Sequence, residues 1–217
     1  MNEFFEVTSF TVFMAALATG VMLPPGVAIA WLLSRRDFVG RTILETLVTL
    51  PLVVPPVATG LILLKLFGQR GPVGQVLAVV GVDVIFTWKA VVLAMAVMGL
   101  PLVVRSARTG FEQVDPRCEG IASTLGAPPM RVFWTISLPL ARRSLLAGAV
   151  LGFSRAIGEF GATVMIAGTL PGTRTISVSI FRNAELGYDA AAASFIIVAV
   201  VIGFIAVHLS NKLEVPS

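Results

Sequence analysis

Arg155 and Glu159 stand four residues apart inside a stretch that is otherwise apolar. On a helix that spacing puts both side chains on one face, where they can pair. Each charge costs about 2.5–3.5 kcal/mol near the centre of a bilayer, so both persist only if paired or facing water. Two readings are open. Either the residues neutralise each other and lock a helix against its neighbours, or they line a path where the arginine favours a passing oxyanion.

A second group lies in a polar, arginine-bearing segment, Arg105 to Arg143, between long apolar stretches. It contains Glu119-Gly120-Ile121-Ala122-Ser123-Thr124-Leu125-Gly126 and, after nine further residues, Ile136-Ser137-Leu138-Pro139. Asp115-Pro116 predicts a helix start, since aspartate caps orphan amides and proline fits the first helical position. Gly126 suits the residue just past the end, and Pro128-Pro129 forbid continuation. The expected helix is Pro116–Leu125, with Ile121, Ala122 and Leu125 on one apolar face. So short a helix is marginal in water and must pack on the membrane domain or on a partner. Met130–Leu138 then leads the chain back, and Pro139 starts the next helix.

Prolines form the third group. Pro51, Pro55 and Pro56 each remove a backbone donor, at about 3 kcal/mol in a regular helix. A kinked or broken helix survives in a membrane only where neighbours or a wet cavity satisfy the freed carbonyls. Such a feature serves packing alone or acts as a gate. Pro24-Pro25-Gly26 invites the same two readings, whereas Gly148-x3-Gly152 predicts close helix packing.

Other catalytic chemistry finds no foothold. No G-x-x-x-x-G-K-[ST] phosphate loop and no HExxH occur. The single cysteine, Cys118, excludes a disulfide framework and a cysteine zinc site. His208 is the only histidine and falls near the end of an apolar stretch, and neither Ser154 nor Ser179 has a base to activate it. The chain is expected to be no enzyme and to hold no metal or cofactor; any ATP hydrolysis falls to another chain.

The elements that position these groups follow from composition. The 217 residues are 56% hydrophobic and 13% charged, with a mean hydropathy of +0.92. A soluble domain of this size cannot hide that much apolar surface, so lipid is the natural solvent. Spans need roughly 20 apolar residues, and five fit: Phe10–Leu33, Thr46–Leu64, Ile85–Val104, Ser144–Ala167 and Ala190–Ser210. Lys89 snorkels at a span edge. Glu3 and Glu6 replace the basic region of a secretory signal, so the first stretch reads as a retained span. Gly71–Val82 is too short to cross and reads as interfacial or re-entrant. Gly168–Asp189 reads as an external loop with a partial helix. The whole, 1–217, is expected to form one all-α transmembrane domain without repeats.

Charge sets the orientation. Arg35, Arg36, Arg41, Lys212 and the six arginines from Arg105 to Arg143 fall on one side; Lys65, Arg70, Lys89, Arg174 and Arg182 fall on the other. The richer side is cytoplasmic, which puts the N-terminus outside, the C-terminus inside and the central segment in the cytoplasm. The basic residues are dispersed at membrane edges, so nucleic acid is not expected as a partner.

The spacing Ala122-x3-Gly126-x9-Ile136-x-Leu138-Pro139 resembles the signature loop of the membrane subunits of binding-protein-dependent ABC importers. In the strict frame of that signature its Glu-Ala-Ala triplet falls on Gly120-Ile121-Ala122, so Ala122 matches and Glu119 lies one residue early. Arg155 with Gly158-Glu159-Phe160-Gly161-Ala162, and Leu50-Pro51-Leu52-Val53-Val54-Pro55-Pro56-Val57, are similar to segments of molybdate permeases (the ModB type). The resemblance covers most of Trp31 to Arg182. It implies a type I importer permease fold and a homodimer in the inner membrane. It also implies two ATPase subunits docked on the central loop and an extracytoplasmic protein delivering the oxyanion. Tungstate, sulfate or thiosulfate remain alternative cargoes, and an ion-coupled secondary transporter using Arg155 and Glu159 is the rival of another class.

Overall fold

The computed structural model describes residues 2–214, which are all-helical, with no strand among the described residues. The helices are α1 (Asn2–Arg35), α2 (Arg41–Val53), α3 (Pro56–Phe67), α4 (Pro72–Val79), α5 (Trp88–Glu112) and α6 (Pro116–Thr124). There follow α7 (Pro129–Val132), a π-helical turn (Phe133–Ser137), α8 (Leu138–Ile157), α9 (Gly161–Ala167), α10 (Ile176–Glu185) and α11 (Asp189–Glu214). Four helical stretches are long and apolar enough to cross a membrane: Glu3–Arg35, Trp88–Glu112, Pro129–Ile157 and Asp189–Leu213. The bent pair α2–α3 makes a fifth crossing if counted as one.

Helix α5 is the centre of the packing, with α1 and α8 along it and α11 against α8. Small residues allow the close approach that membrane helices use in place of a hydrophobic driving force. A Cβ on Gly26 would stand 2.8 Å from Val103 Cγ1, and one on Gly152 would stand 2.6 Å from Met22 Cε. Gly148 meets Ser106 in the same way, and Ser106 Oγ donates to Ser144 O at 2.8 Å. Gly148-x3-Gly152 is therefore a packing surface. Pro24 and Pro25 do not interrupt α1.

Three expectations need correction. Of the kinked and broken forms open to the second span, the broken one is present: what reads as one continuous stretch, 46–64, is two helices meeting at 116°. The residue before a proline is pushed out of the α region, and here two such residues are consecutive. Val54 and Pro55 take ψ of 134° and 133°, and the chain turns a corner. The fourth span also breaks: α8 ends at Ile157 and α9 starts at Gly161, so Arg155 and Glu159 do not share one continuous helix. Lastly, Arg105–Arg143 is less a loop than a set of helix ends. Helix α5 runs on to Glu112, since nothing between Arg105 and Glu112 stops a helix, and α8 already starts at Leu138.

The segment 168–189 contains a partial helix, α10, as expected, and its residues have structural duties. Thr173 Oγ1 donates to Ala167 O at 3.0 Å and Ser177 Oγ donates to Ile157 O at 3.1 Å. The break leaves the last carbonyls of α8 free and Ser177 takes one of them, while Thr173 takes one at the far end of α9, as a low-dielectric setting requires. Thr11 Oγ1 of α1 accepts from Ile176 N at 2.9 Å, which ties α10 to the first span. Helix α4 is too short to cross a membrane.

Candidate functional site

Helix α6 is built by its caps. Asp115 Oδ1 accepts from Arg117 N at 2.9 Å, and Pro116 occupies the first turn. At the far end Gly126 has φ of +86°, Gly126 N donates to Ser123 O and Ala127 N donates to Ala122 O, both at 3.0 Å. This 6→1 and 5→2 pairing closes a helix through a left-handed residue, and glycine takes that conformation without strain. The helix leaves Ile121 62% and Leu125 82% exposed, with Met130 and Trp134 also exposed beyond it. Arg117 and Arg131 are exposed beside them. An apolar ridge with a basic rim, held outside the packed spans, is a surface shaped for a protein partner.

The base of this ridge is anchored. Phe133 packs against Trp31 at 5.3 Å and Phe111 at 6.1 Å between ring centroids, joining the π-helical turn to α1 and α5. Leu138 packs in the same cluster. Ile136 is half-buried in the π-helical turn and Pro139 is exposed in the first turn of α8. Glu119 points inwards: its Oε1 accepts from Arg35 and from Ser137.

The two helix breaks meet. A Cβ on Gly161 would stand 2.9 Å from Pro56 Cβ, and one on Gly60 would stand 2.6 Å from Met165 Cβ. Glu159 lies in the break, 1% exposed, with Oε2 2.8 Å from Arg155 Nη2 and Oε1 accepting from Ala162 N at 2.8 Å. Its carboxylate thus neutralises the arginine and caps α9 at once. Arg155 keeps 26% of its side chain exposed. Pro51 sits within α2, while Pro55 and Pro56 form the corner itself. Phe160 packs on Phe181 of α10 at 5.0 Å.

A cavity of about 700 Å³ opens between α2 and α5 at the end nearest α6. Thr42, Thr46 and Thr49 line one wall and Arg105 the other. Arg108 crosses it, donating to Glu45 at 2.6 Å and Glu112 at 2.7 Å.

The sequence profile of the family described as binding-protein-dependent transport system inner membrane component matches residues 22–214. The chain belongs to this family. It is 43% identical over 207 residues to a Bacillus subtilis (strain 168) protein named for molybdenum transport, YvgM, covering 94% of this chain and 91% of that one. The molybdenum transport system permease protein ModB of Escherichia coli (strain K12) is 41% identical over 203 residues, covering 92% and 89%. The sulfate transport system permease protein CysT of Salmonella typhimurium is 39% identical over 191 residues, covering 87% of this chain but 68% of its own. Among solved structures, a bacterial ABC transporter involved in alginate import superposes with a TM-score of 0.72 at 19% identity over 99% of this chain and 81% of that one. That likeness shows a shared fold, the type I importer permease.

For this family member the sequence signature separates in space. Ala122 and Gly126 build the end of α6, whereas Ile136, Leu138 and Pro139 build the start of α8. Glu119 joins the two. Arg35, Ser137, Glu45 and Arg108 were not singled out from sequence. The polar stripe Thr42, Glu45, Thr46 and Thr49, at helical spacing, was the signal available for the cavity. Arg35 carried none, because its partner is 84 residues away.

Proposed function

We propose that this chain is the membrane-spanning subunit of an ATP-driven importer of molybdate. The observation that carries the reading is the capped, outward-facing α6, whose exposed Ile121 and Leu125 offer a surface to an ATPase while its base is fastened to the spans. The cargo rests on the end-to-end similarity to molybdenum permeases, which covers about nine-tenths of both chains, against 68% of the sulfate relative.

In this reading two copies form the pore in the cytoplasmic membrane, an extracytoplasmic protein delivers the oxyanion, and a separate ATPase subunit hydrolyses ATP. The N-terminus lies outside and α6 in the cytoplasm, as the surplus of arginine around α6 supports. The solved ABC transporter of this fold that carries a periplasmic protein supports the delivery partner. ATP-driven closure of the ATPases moves α6, and the movement reaches the spans through α8. The corner at Pro55-Pro56 and the break at Gly158–Phe160 are the places where the spans can bend, since no regular helix has to be unwound there. Arg155, beside that crossing, lowers the barrier to a dianion, and the threonine-lined cavity is the exit.

The test is uptake in proteoliposomes holding this chain, its ATPase and its binding protein. Molybdate should enter only with ATP and loaded binding protein, and sulfate should enter far more slowly. Uptake that survives ATP depletion but not an uncoupler would replace this reading with an ion-coupled transporter.

A further inference from the structure

Helix α6 has several polar side chains, but Asp115, Ser123 and Thr124 all bond within their own segment. Glu119 alone among them reaches other elements. Its Oε1 accepts from Arg35 Nη2 at 2.9 Å, Arg35 Nε at 3.1 Å and Ser137 Oγ at 2.7 Å. Arg35 Nη2 also donates to Val114 O at 3.1 Å, just before α6 starts. Arg35 is the last residue of α1 and Ser137 the last of the π-helical turn that opens α8. One carboxylate oxygen therefore joins three elements. Arg35 and Glu119 keep only 15% and 19% of their side chains exposed, so solvent weakens the pair little. Charge-assisted bonds in a guanidinium fork are short, strong and directional.

Leu138 N donates to Phe133 O, a five-residue step, and such turns recur at functional sites in helices. Here the turn brings the Ser137 hydroxyl to the carboxylate.

We propose that Arg35, Glu119 and Ser137 form the link that makes α1 and α8 follow α6. Arg35 and Ser137 are positioning residues: neither faces the exposed ridge, and both act by holding α6 to the spans. The inference rests on the reading of α6 as the ATPase-docking helix and adds the residues that pass its motion on. Without the link α6 still has its caps and its exposed ridge, so the ATPase still binds; what is lost is the transfer of movement.

The experiment uses the assembled complex in proteoliposomes. It measures ATP hydrolysis, molybdate uptake, and cross-linking from Cys118, the sole cysteine and exposed on α6, to the ATPase. For Arg35→Leu, cross-linking and ATP hydrolysis should persist while uptake per ATP falls about tenfold, within the ordinary range of coupling between sites. Arg35→Lys should recover part of the ratio, and the exchange Arg35→Glu with Glu119→Arg should also recover part of it, since a carboxylate at 35 restores the ion pair but cannot donate to Val114 O. Ser137→Ala should give a smaller loss in the same direction. Wild-type uptake per ATP in Arg35→Leu would overturn the proposal, as would an exchange variant that cross-links but stays uncoupled. Loss of cross-linking in Arg35→Leu would also overturn it, since the pair would then serve docking. Failure of wild-type Cys118 to cross-link to the ATPase would strike the docking reading instead.

Discussion

The backbone of Gly161 rests on the ring of Pro56, so close that a Cβ on the glycine would stand 2.9 Å from the proline Cβ. The corner of one span and the break of another are thus a single point of contact. Neither partner can yield, because one is backbone and the other a fixed ring. Gly161→Ala should therefore cost about 1–3 kcal/mol, the usual range for overpacking a well-filled site. Gly158→Ala is the control, since its nearest neighbour would be at 3.8 Å. Thermal unfolding of the detergent-solubilised complex should fall for the first variant and hold for the second. Equal midpoints would mean that the contact is not tight.

Gly126 presents the opposite case. Nothing lies within 4 Å of a Cβ placed there, yet its φ is +86°. A side chain would meet backbone strain and no clash, at about 1–2 kcal/mol for an ordinary residue in the left-handed region. Gly126→Val should insert normally and lose ATPase on co-purification, because β-branching resists this conformation most. Gly126→Asn should retain most of it. An intact complex with valine would count against the role given to this helix end.

Arg155 and Glu159 are tested by a double variant that keeps the cap on α9. Leucine at 159 would remove the cap on Ala162 N along with the charge, so it confounds the test. Arg155→Leu alone leaves a carboxylate buried without its cation, at about 3–5 kcal/mol. Combined with Glu159→Gln, whose carbonyl still caps α9, folding should recover. Uptake normalised to folded complex should stay low if the arginine serves the oxyanion path. Full uptake by the double variant would leave the pair a purely structural role.

Orientation is checked by labelling. Cys118 should react with an impermeant thiol reagent only in inverted vesicles. Tyr188→Cys in a Cys118→Ser background should react from outside, as position 188 is exposed just before α11. The reverse pattern would put α6 out of reach of a cytoplasmic ATPase.

What the sequence made legible was local. Asp115-Pro116 and Gly126 act through their own neighbours, so the limits of α6 fell within a residue of the reading. The corner at Val54-Pro55-Pro56 was legible as a disturbance, because prolines act on adjacent residues, though its angle depends on α9 packing beneath it. The break at Gly158–Phe160 was hidden: it has no proline, and glycines occur freely in spanning helices. It persists because Pro56 fills the space beside Gly161, Glu159 caps α9, and Ser177 of α10 bonds the carbonyl of Ile157. The inward turn of Glu119 was hidden for the same kind of reason, since both of its partners come from outside α6.

The hydroxyls of Thr173 and Ser177 close the ends of α9 and α8 from a segment beyond both helices. The segment 168–189 is therefore no interchangeable appendage. Transplanting it alone from a related permease would strand two carbonyls in a setting without water. The smallest portable module runs from Leu138 to Glu185, and a chimera joined inside it inherits a half-helix without its stopper. Hybrids built to exchange this segment must carry the broken span along with it.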